Sequence, residues 1–321
     1  MDYQQLLLAL LPDLLVVVAL FAALGVDYSR MRGSRLAERY QMACRISAAG
    51  LIAGLAVILV QLTQASSFTA LASMTDGQLV LNTGTLTLKA LLYAMGLGVL
   101  PLAKRDQITP QVSEYFALLL LATLGMGFVV TSRNLLGAFV ALELVSLSLY
   151  AMTVLNQAKR ASAEAALKYL TFGAVASGFL LFGLSYLYGA TEQLDLTQMT
   201  DLKHSPMLLL AYLLIFVGLG FKLALAPFHL WAPDVYQNAP TPVAGWIGSG
   251  SKIAAAALLI ALLKPVSSTL KDALIPALAA LAVLSMVVGN LGALRQTNLK
   301  RLLAYSAIAN AGYLLVGVVA F

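Results

Sequence analysis

Apolar residues along this chain come in long blocks separated by short polar segments. Ten blocks approach the roughly 20 residues that a helix needs to cross a bilayer, and they lie at 5–26, 43–63, 84–103, 112–131, 134–155, 164–188, 207–227, 242–263, 273–294 and 302–321. They lack the alternation of apolar and polar positions that marks an outer-membrane strand. The pattern therefore predicts an all-α, polytopic transmembrane helix bundle of about ten spans, with neighbouring helices antiparallel.

Composition agrees with a membrane protein and leaves few cofactor sites. Hydrophobic residues make up 60% of the chain and charged residues 11%, against about a quarter charged in soluble domains. The single Cys44 and the two histidines are too few for a disulfide, a haem bundle or a copper centre. The sequence has no CxxC, HExxH or phosphate-binding glycine motif. We expect this chain to bind no cofactor, no metal and no nucleic acid.

The loop charges predict the orientation. Cytoplasmic loops carry an excess of Lys and Arg. Twelve basic residues follow odd-numbered spans, namely Arg30, Arg32, Arg35, Arg39, Arg45, Lys104, Arg105, Lys159, Arg160, Arg295, Lys300 and Arg301; four follow even-numbered spans, namely Arg133, Lys203, Lys264 and Lys271. The N-terminus is therefore predicted to be periplasmic in a bacterial inner membrane. Asp2 and the long first apolar run argue against a cleavable signal peptide.

Among the charged residues within predicted spans, three are the main candidate functional residues. Glu143 lies centrally in the fifth span, Lys222 in the seventh and Lys252 in the eighth. A central charge costs at least about 2.5–3.5 kcal/mol on insertion scales, so leucine would serve a structural role better. Burial disfavours a charged lysine and a nearby carboxylate favours it. Glu143 and Lys222 are therefore expected to form a switchable pair that is coupled to Lys252.

Structural interpretations remain open for several of these residues. Lys89 and Lys168 look interfacial, where a lysine extends its charge to water, and the same applies less strongly to Lys222. Glu143 is compatible with a structural buried ion pair. Asp13, after Pro12 in the first span, is placed near the outer surface or against a partner subunit, with no catalytic role.

The seventh span is predicted to break. Pro227 removes a helix hydrogen bond, and Pro233, Pro240 and Pro242 follow within a short stretch. A discontinuous helix beside buried charges is typical of an ion pathway. His229 lies in the break, either as a proton relay or as a structural histidine at a helix end.

Five stretches resemble a known family. They are SEYFALLLLATLGMGFVVTSRNLL (113–136), VALELVSLSLYAM (140–152), AEAALKYLTFGAVASGFLLFGLSYLYGAT (163–191), VGLGFKLALAPFHLWAPDVYQNAPTPV (217–243) and NLGALRQTNLKRLLAYSAIANAGYLLVG (290–317). In this order they resemble the subunit N family of the proton-pumping NADH–quinone oxidoreductase, respiratory complex I. PDVYQNAPTPV is closer to this family than to the sister antiporter-like subunits.

The resemblance implies a fold with two inverted five-helix repeats, each containing one broken helix. The chain would divide into N-terminal helices at 1–111, a first repeat at 112–263 and the start of a second repeat at 264–321. The family's functional residues fall on Glu143, Lys222 and Lys252. NADH, flavin, iron–sulfur clusters and quinone would be bound by partner subunits, so the partners of this chain would be other membrane subunits and the lipid bilayer.

The sequence departs from the family pattern in two places. Asn310 stands where family members often carry a histidine in the tenth span, and the chain stops at Phe321 before the second broken helix. We expect a fragment of a longer protein or a shortened product.

The sequence thus predicts a proton-translocating subunit of NADH–quinone oxidoreductase. In this hypothesis a proton from the cytoplasm loads Lys252, and a change in the Glu143–Lys222 interaction drives it onward. The alternatives are a stand-alone cation/proton antiporter, which shares the same buried lysines, and a non-pumping structural subunit.

Overall fold

The computed structural model describes residues 3–31, 33–63, 78–155 and 160–320. Within these ranges the chain forms twelve helices: α1 (Tyr3–Arg30), α2 (Leu36–Thr63), α3 (Thr83–Asp106), α4 (Val112–Thr131), α5 (Leu135–Val154), α6 (Arg160–Thr191), α7 (Pro206–Leu223), α8 (Ala232–Asn238), α9 (Thr241–Gly248), α10 (Gly250–Leu263), α11 (Ser268–Leu294) and α12 (Leu299–Val319). In the described residues, ten helical segments are long and apolar enough to cross a membrane, with α9 and α10 forming one of them. The prediction of a polytopic helical membrane protein is confirmed.

Polar side chains at the loop ends define where several helices begin. Asn82, Asn134, Ser205, Ser267 and Asn298 precede α3, α5, α7, α11 and α12, and each accepts a hydrogen bond from a backbone N–H of the first turn. Such caps satisfy donors that have no partner within the helix. The capped helices begin within five residues of their predicted starts, whereas α2 begins at Leu36, well before the predicted 43, because polar residues continue its helix beyond the apolar block.

Contacts divide the chain into two compact units. The first comprises Met1–Lys159 and Pro240–Trp246, and it contains α1 to α5 together with most of α9. Almost every residue of α4 is buried, so this helix forms the centre of the unit. Small residues bring the helices together: a Cβ on Gly50 of α2 would lie 2.3 Å from the Cβ of Ala19 on α1. Close approach at small residues is a typical way for membrane helices to associate.

The second unit comprises Arg160–Ala239 and Ile247–Phe321. Within it α6 packs on α7 and α11 packs on α12, again at small residues. A Cβ on Gly218 would lie 2.5 Å from Leu180, and a Cβ on Gly289 would lie 2.5 Å from the backbone nitrogen of Ala309. The Tyr212 hydroxyl on α7 donates to the carbonyl of Leu262 on α10 at 2.7 Å. This unit contains the helix break and both candidate lysines.

Candidate functional site

Lys252 lies where a membrane span is interrupted. The span Thr241–Leu263 consists of α9 and α10, which are separated at Ser249. Lys252 stands in the first turn of α10, is 7% exposed, and donates from Nζ to the carbonyl of Ala307 on α12 at 2.5 Å. The Ser251 hydroxyl bonds the carbonyl of Ile247 across the interruption. The structure therefore holds a buried amine beside backbone that is not regular helix.

A cavity of about 390 Å³ lies against Lys252. Its polar lining comes from Ser249, Ser306 and Asn310 as well as from Lys252. A water molecule occupies roughly 30 Å³ in the liquid and needs two to four polar partners, so these four side chains can hold water beside Lys252, although most of the lining is apolar. Asn310, which replaces the histidine expected from the family resemblance, contributes a polar side chain to the same cavity.

Lys222 occupies the last turn of α7, beside the predicted break. The helix ends at Leu223, four residues before the predicted end at Pro227, because Ala224 adopts a left-handed conformation and its N–H bonds the carbonyls of Gly220 and Phe221. Lys222 is half-buried, with Nζ 5.8 Å from the centre of the Phe221 ring.

The break itself runs from Ala224 to Trp231 and is anchored by specific contacts. The backbone N–H of Ala226 donates to the Ser285 hydroxyl of α11 at 2.9 Å. The Trp231 ring stacks on Tyr169 of α6, with centroids 4.4 Å apart and planes at 9°. Freed backbone groups inside a membrane need such partners. The predicted discontinuous helix is present, and tertiary contacts hold it in place.

His229 lies within the break and is half-buried. Among the described residues, its Nδ1 atom has no hydrogen-bond partner. Burial lowers the pKa of His229 below its ordinary value near 6.5, and the backbone of Pro227 partly opposes this shift. The imidazole is therefore largely neutral at pH 7, which leaves one nitrogen able to accept a proton.

Asp234 joins the break to two neighbouring helices, a role that the sequence did not predict. It lies in the first turn of the short helix α8. Its carboxylate accepts hydrogen bonds from Nζ of Lys168 on α6 at 3.1 Å and from a guanidinium nitrogen of Arg301 on α12 at 2.7 Å. Burial acts to raise the pKa of Asp234, but the hydrogen bonds from these two cations outweigh it and hold the pKa below its ordinary value. Lys168 also pairs with Glu164 at 2.8 Å. Lys168 is thus partly exposed, as an interfacial lysine would be, but it is also a partner of Asp234.

Glu143 belongs to the first unit, on α5, whereas Lys222, His229 and Lys252 belong to the second. Its side chain is half-buried within the span. The switchable pair of Glu143 and Lys222 stays a prediction.

Lys89 differs from its expected interfacial position. It is 2% exposed, and its Nζ lies 2.6 Å from a carboxylate oxygen of Asp13 on α1. Asp13 is likewise buried rather than near a surface. The two residues are far apart in sequence, so only a prediction of which helix faces meet could have found this pair.

More than half of this chain matches one known protein family. Residues 132–321 match the family described as "NADH:quinone oxidoreductase/Mrp antiporter, TM". The chain belongs to this family. The family match covers α5 to α12, which carry all four candidate functional residues, and leaves out α1 to α4.

Relatives within the family span a longer sequence than this chain. NADH-quinone oxidoreductase subunit N 2 of Acidobacterium capsulatum is 44% identical over 99% of this chain and 67% of its own length. Subunit N of Halorhodospira halophila is 47% identical over 64% of this chain and 44% of its own length. A chain of respiratory complex I from Thermus thermophilus is 34% identical, with a TM-score of 0.77 over 96% of this chain and 64% of that chain. The regions matched by this chain thus cover between 44% and 67% of the lengths of these relatives.

Proposed function

We propose that this chain is a proton-translocating membrane subunit of an NADH–quinone oxidoreductase. The observation that carries the proposal is Lys252, an amine buried at an interruption of a membrane span beside an open cavity whose lining includes Ser306 and Asn310. Family membership supports it, because the full-length relatives named above are subunits of this oxidoreductase.

Protonation of Lys252 is the central step of the proposed mechanism. A proton from the cytoplasmic side reaches the amine through the cavity lined by Ser306 and Asn310. The charges of Glu143 and Lys222 then bias Lys252 between its loaded and unloaded forms. Moving one charge against 100 mV takes about 2.3 kcal/mol, which is comparable to the cost of one central charge in a membrane. A change of charge at one neighbouring residue is therefore large enough to drive the step.

His229 would act as a relay in this mechanism. Its lowered pKa keeps the imidazole neutral and ready to accept a proton, and it follows Lys222 by seven residues in the break. The Asp234 cluster would hold the break in position by tying α8 to α6 and α12.

The same proposal specifies the partner subunits, the membrane and the repeat organisation of this chain. NADH, flavin, iron–sulfur clusters and quinone are bound by partner subunits, and this chain contacts other membrane subunits and the lipid of a bacterial inner membrane, with its N-terminus in the periplasm. Residues 112–263 form the first antiporter-like repeat, after N-terminal helices at 1–111 and before the start of a second repeat at 264–321.

The test is NADH-driven proton pumping by the assembled complex in inverted membrane vesicles. Glu143→Ala and Lys222→Ala are each compared with wild type, and assembly is measured from the amount of purified complex. We expect both variants to assemble, to lose most of their pumping, and to lose quinone-coupled electron transfer with it. Normal pumping by both assembled variants would show that these charges are structural.

A stand-alone cation/proton antiporter is the second candidate, because the family description covers both oxidoreductase and Mrp antiporter subunits. Purification separates the two functions. Co-purification with flavin and iron–sulfur subunits favours the oxidoreductase, whereas cation/proton exchange by vesicles that contain this protein alone favours the antiporter.

A further inference from the structure

Three polar side chains meet deep inside the first unit, away from the candidate site described above. Lys89 on α3 donates from Nζ to Oδ2 of Asp13 on α1 at 2.6 Å, and the Tyr93 hydroxyl donates to Oδ1 of the same carboxylate at 2.8 Å. The side chains of Lys89 and Asp13 are 3% and 4% exposed. We call Asp13, Lys89 and Tyr93 the N-terminal triad.

Helix packing does not require these charges. Where α1, α2 and α3 meet, small residues already allow close contact: a Cβ on Gly54 would lie 3.0 Å from the carbonyl of Pro12 and 2.9 Å from the Tyr93 ring. Replacing a buried ion pair with well-packed apolar side chains is often neutral or stabilising. A purely structural contact at this place would therefore be made at least as well by leucine and methionine.

The triad lies at the same depth as Glu143. Contacts between the ends of successive helices show that α1 and α2 are antiparallel, since Arg39 bonds Asp27 at one end and Gln61 bonds the carbonyl of Leu8 at the other. The same alternation continues to α5, so α1, α3 and α5 run in one direction. Asp13, Lys89 and Glu143 each lie roughly 9–12 Å along their spans at 1.5 Å per residue.

A single helix separates Lys89 from the helix that carries Glu143. The Cε atom of Lys89 lies 3.4 Å from the place where a Cβ on Gly127 of α4 would be, and its Nζ lies 5.7 Å from the centre of the Phe128 ring. Two residues earlier on α4, a Cβ on Gly125 would lie 2.8 Å from Val145 of α5. Because these glycines have no side chain, Lys89 and α5 can both approach the backbone of α4 closely. Salt screens the interaction between buried charges only weakly.

Other charged groups of these helices lie at the opposite end of the unit. Asp27 pairs with Arg39 at 2.5 Å, and Glu114 accepts a hydrogen bond from the Tyr28 hydroxyl at 2.5 Å. Both contacts lie near the C-terminal end of α1, more than a dozen residues along that helix from Asp13. Among the described residues of α1 to α5, Glu143 is the acid that shares the depth of the triad.

We propose that the N-terminal triad is a second proton-binding site: its Asp13 takes up one proton from water at the membrane surface when Glu143 ionises, and returns that proton to water when Glu143 becomes neutral. In the resting form Lys89 is an ammonium and Asp13 a carboxylate, so the pair is neutral. One added proton converts Asp13 to the carboxylic acid and leaves a net positive charge on Lys89, which favours an ionised Glu143. The proton leaves Asp13 when Glu143 becomes neutral, and this restores the ion pair.

The proposal rests on the proposed function, and a double apolar replacement in the assembled complex tests it. Asp13→Leu with Lys89→Met removes both charges and keeps the apolar volume. The matched control is Asp27→Leu with Arg39→Met, which removes a different ion pair of α1. We expect the triad variant to assemble and to lose at least about fivefold in the initial rate of NADH-driven proton pumping, the lower end of typical coupling between sites, while the control pumps like wild type.

Two further variants give the remaining outcomes a clear meaning. Tyr93→Phe keeps both charges and the ring but removes one hydrogen bond to Asp13, so it is expected to shift the pH profile of pumping, which a structural tie between helices would not do. The proposal is overturned if the double apolar variant pumps like wild type. It is also overturned if that variant fails to assemble while the charge swap Asp13→Lys with Lys89→Asp does assemble. If Lys222→Ala also pumps normally, the proposed function is wrong. If the triad variants pump normally but Lys222→Ala does not, only the proposal for the N-terminal triad is wrong.

Discussion

At the scale of single residues, Lys252 combines features that a structural side chain would not need. It is buried in a membrane span, it stands in the first turn of α10, and its hydrogen-bond acceptor is a backbone carbonyl, that of Ala307. Helix N-termini favour anions rather than cations, so the helix dipole does not stabilise an ammonium at this position. An amine held in such surroundings beside a polar cavity is suited to release its proton as well as to bind one.

Lys252→Met is therefore expected to abolish pumping without preventing assembly. Methionine fills a similar volume, and removing a group that transfers protons typically costs about 100-fold or more in rate. The measurement is the initial rate of NADH-driven acidification of inverted vesicles. Lys264→Met, the same change at an exposed position just after α10, is the control and is expected to pump like wild type. Unchanged pumping by Lys252→Met would instead indicate a non-pumping structural subunit.

His229 makes a separate prediction about acid stability. Because burial lowers its pKa in the folded protein, the unfolded chain binds a proton at a pH where the folded protein does not. Stability is retained above about pH 6.5 and is lost as the pH falls below it. His229→Gln is expected to reduce this loss by on the order of 1–2 °C in Tm. Thermal unfolding of the purified protein at pH 7.5 and 5.5 measures the effect, and the exposed His204→Gln should leave it unchanged.

At the scale of helices, the break after α7 is a rigid arrangement with specific supports. Ala224 ends the helix, Ser285 of α11 satisfies the backbone of Ala226, and Trp231 stacks on Tyr169 of α6. On the far side of the break, Asp234 ties α8 to α6 and α12. Lys222 and His229 are thus held by a framework with fixed ends, which keeps these two candidate residues at constant spacing.

Asp234→Asn is expected to loosen that framework. Asparagine keeps the size of the side chain but removes the charge that Lys168 and Arg301 share, and ion pairs open to water contribute little to stability. We expect a small fall in Tm, of about 1–2 °C, together with slower pumping. Asp272→Asn, at an exposed position of α11, is the matched control. Equal thermal unfolding of both variants and wild type would exclude a supporting role for Asp234.

The helical architecture could be predicted from the sequence because spans depend on local composition. The break was also predictable, since Pro227 and the later prolines mark it, but its start at Ala224 depends on a left-handed residue that no motif signals. The pair of Asp13 and Lys89 and the cluster around Asp234 were missed for another reason. Each joins residues from helices distant in sequence, and apolar membrane helices carry little periodicity to show which faces meet.

At the scale of the whole molecule, the direction of proton movement depends on the orientation of the chain in the membrane. Basic residues are concentrated in the loops that follow odd-numbered spans, and the positive-inside rule predicts that those loops are cytoplasmic. The described residues of the second unit include a loop that follows an even-numbered span and a loop that follows an odd-numbered span. Gln198 lies between α6 and α7, after the sixth span, and Thr297 lies between α11 and α12, after the ninth.

Cysteine labelling tests this orientation directly. In a Cys44→Ser background, Gln198→Cys and Thr297→Cys each introduce a single thiol at an exposed loop position. A membrane-impermeant maleimide is expected to label Gln198→Cys from the periplasmic side and Thr297→Cys only in inverted vesicles. Each variant is the control for the other, because both positions belong to the same compact unit. The reverse pattern would place the N-terminus in the cytoplasm. Lys252 would then load its proton from the periplasmic side, and the proposed pumping direction would be wrong even if every buried charge takes part.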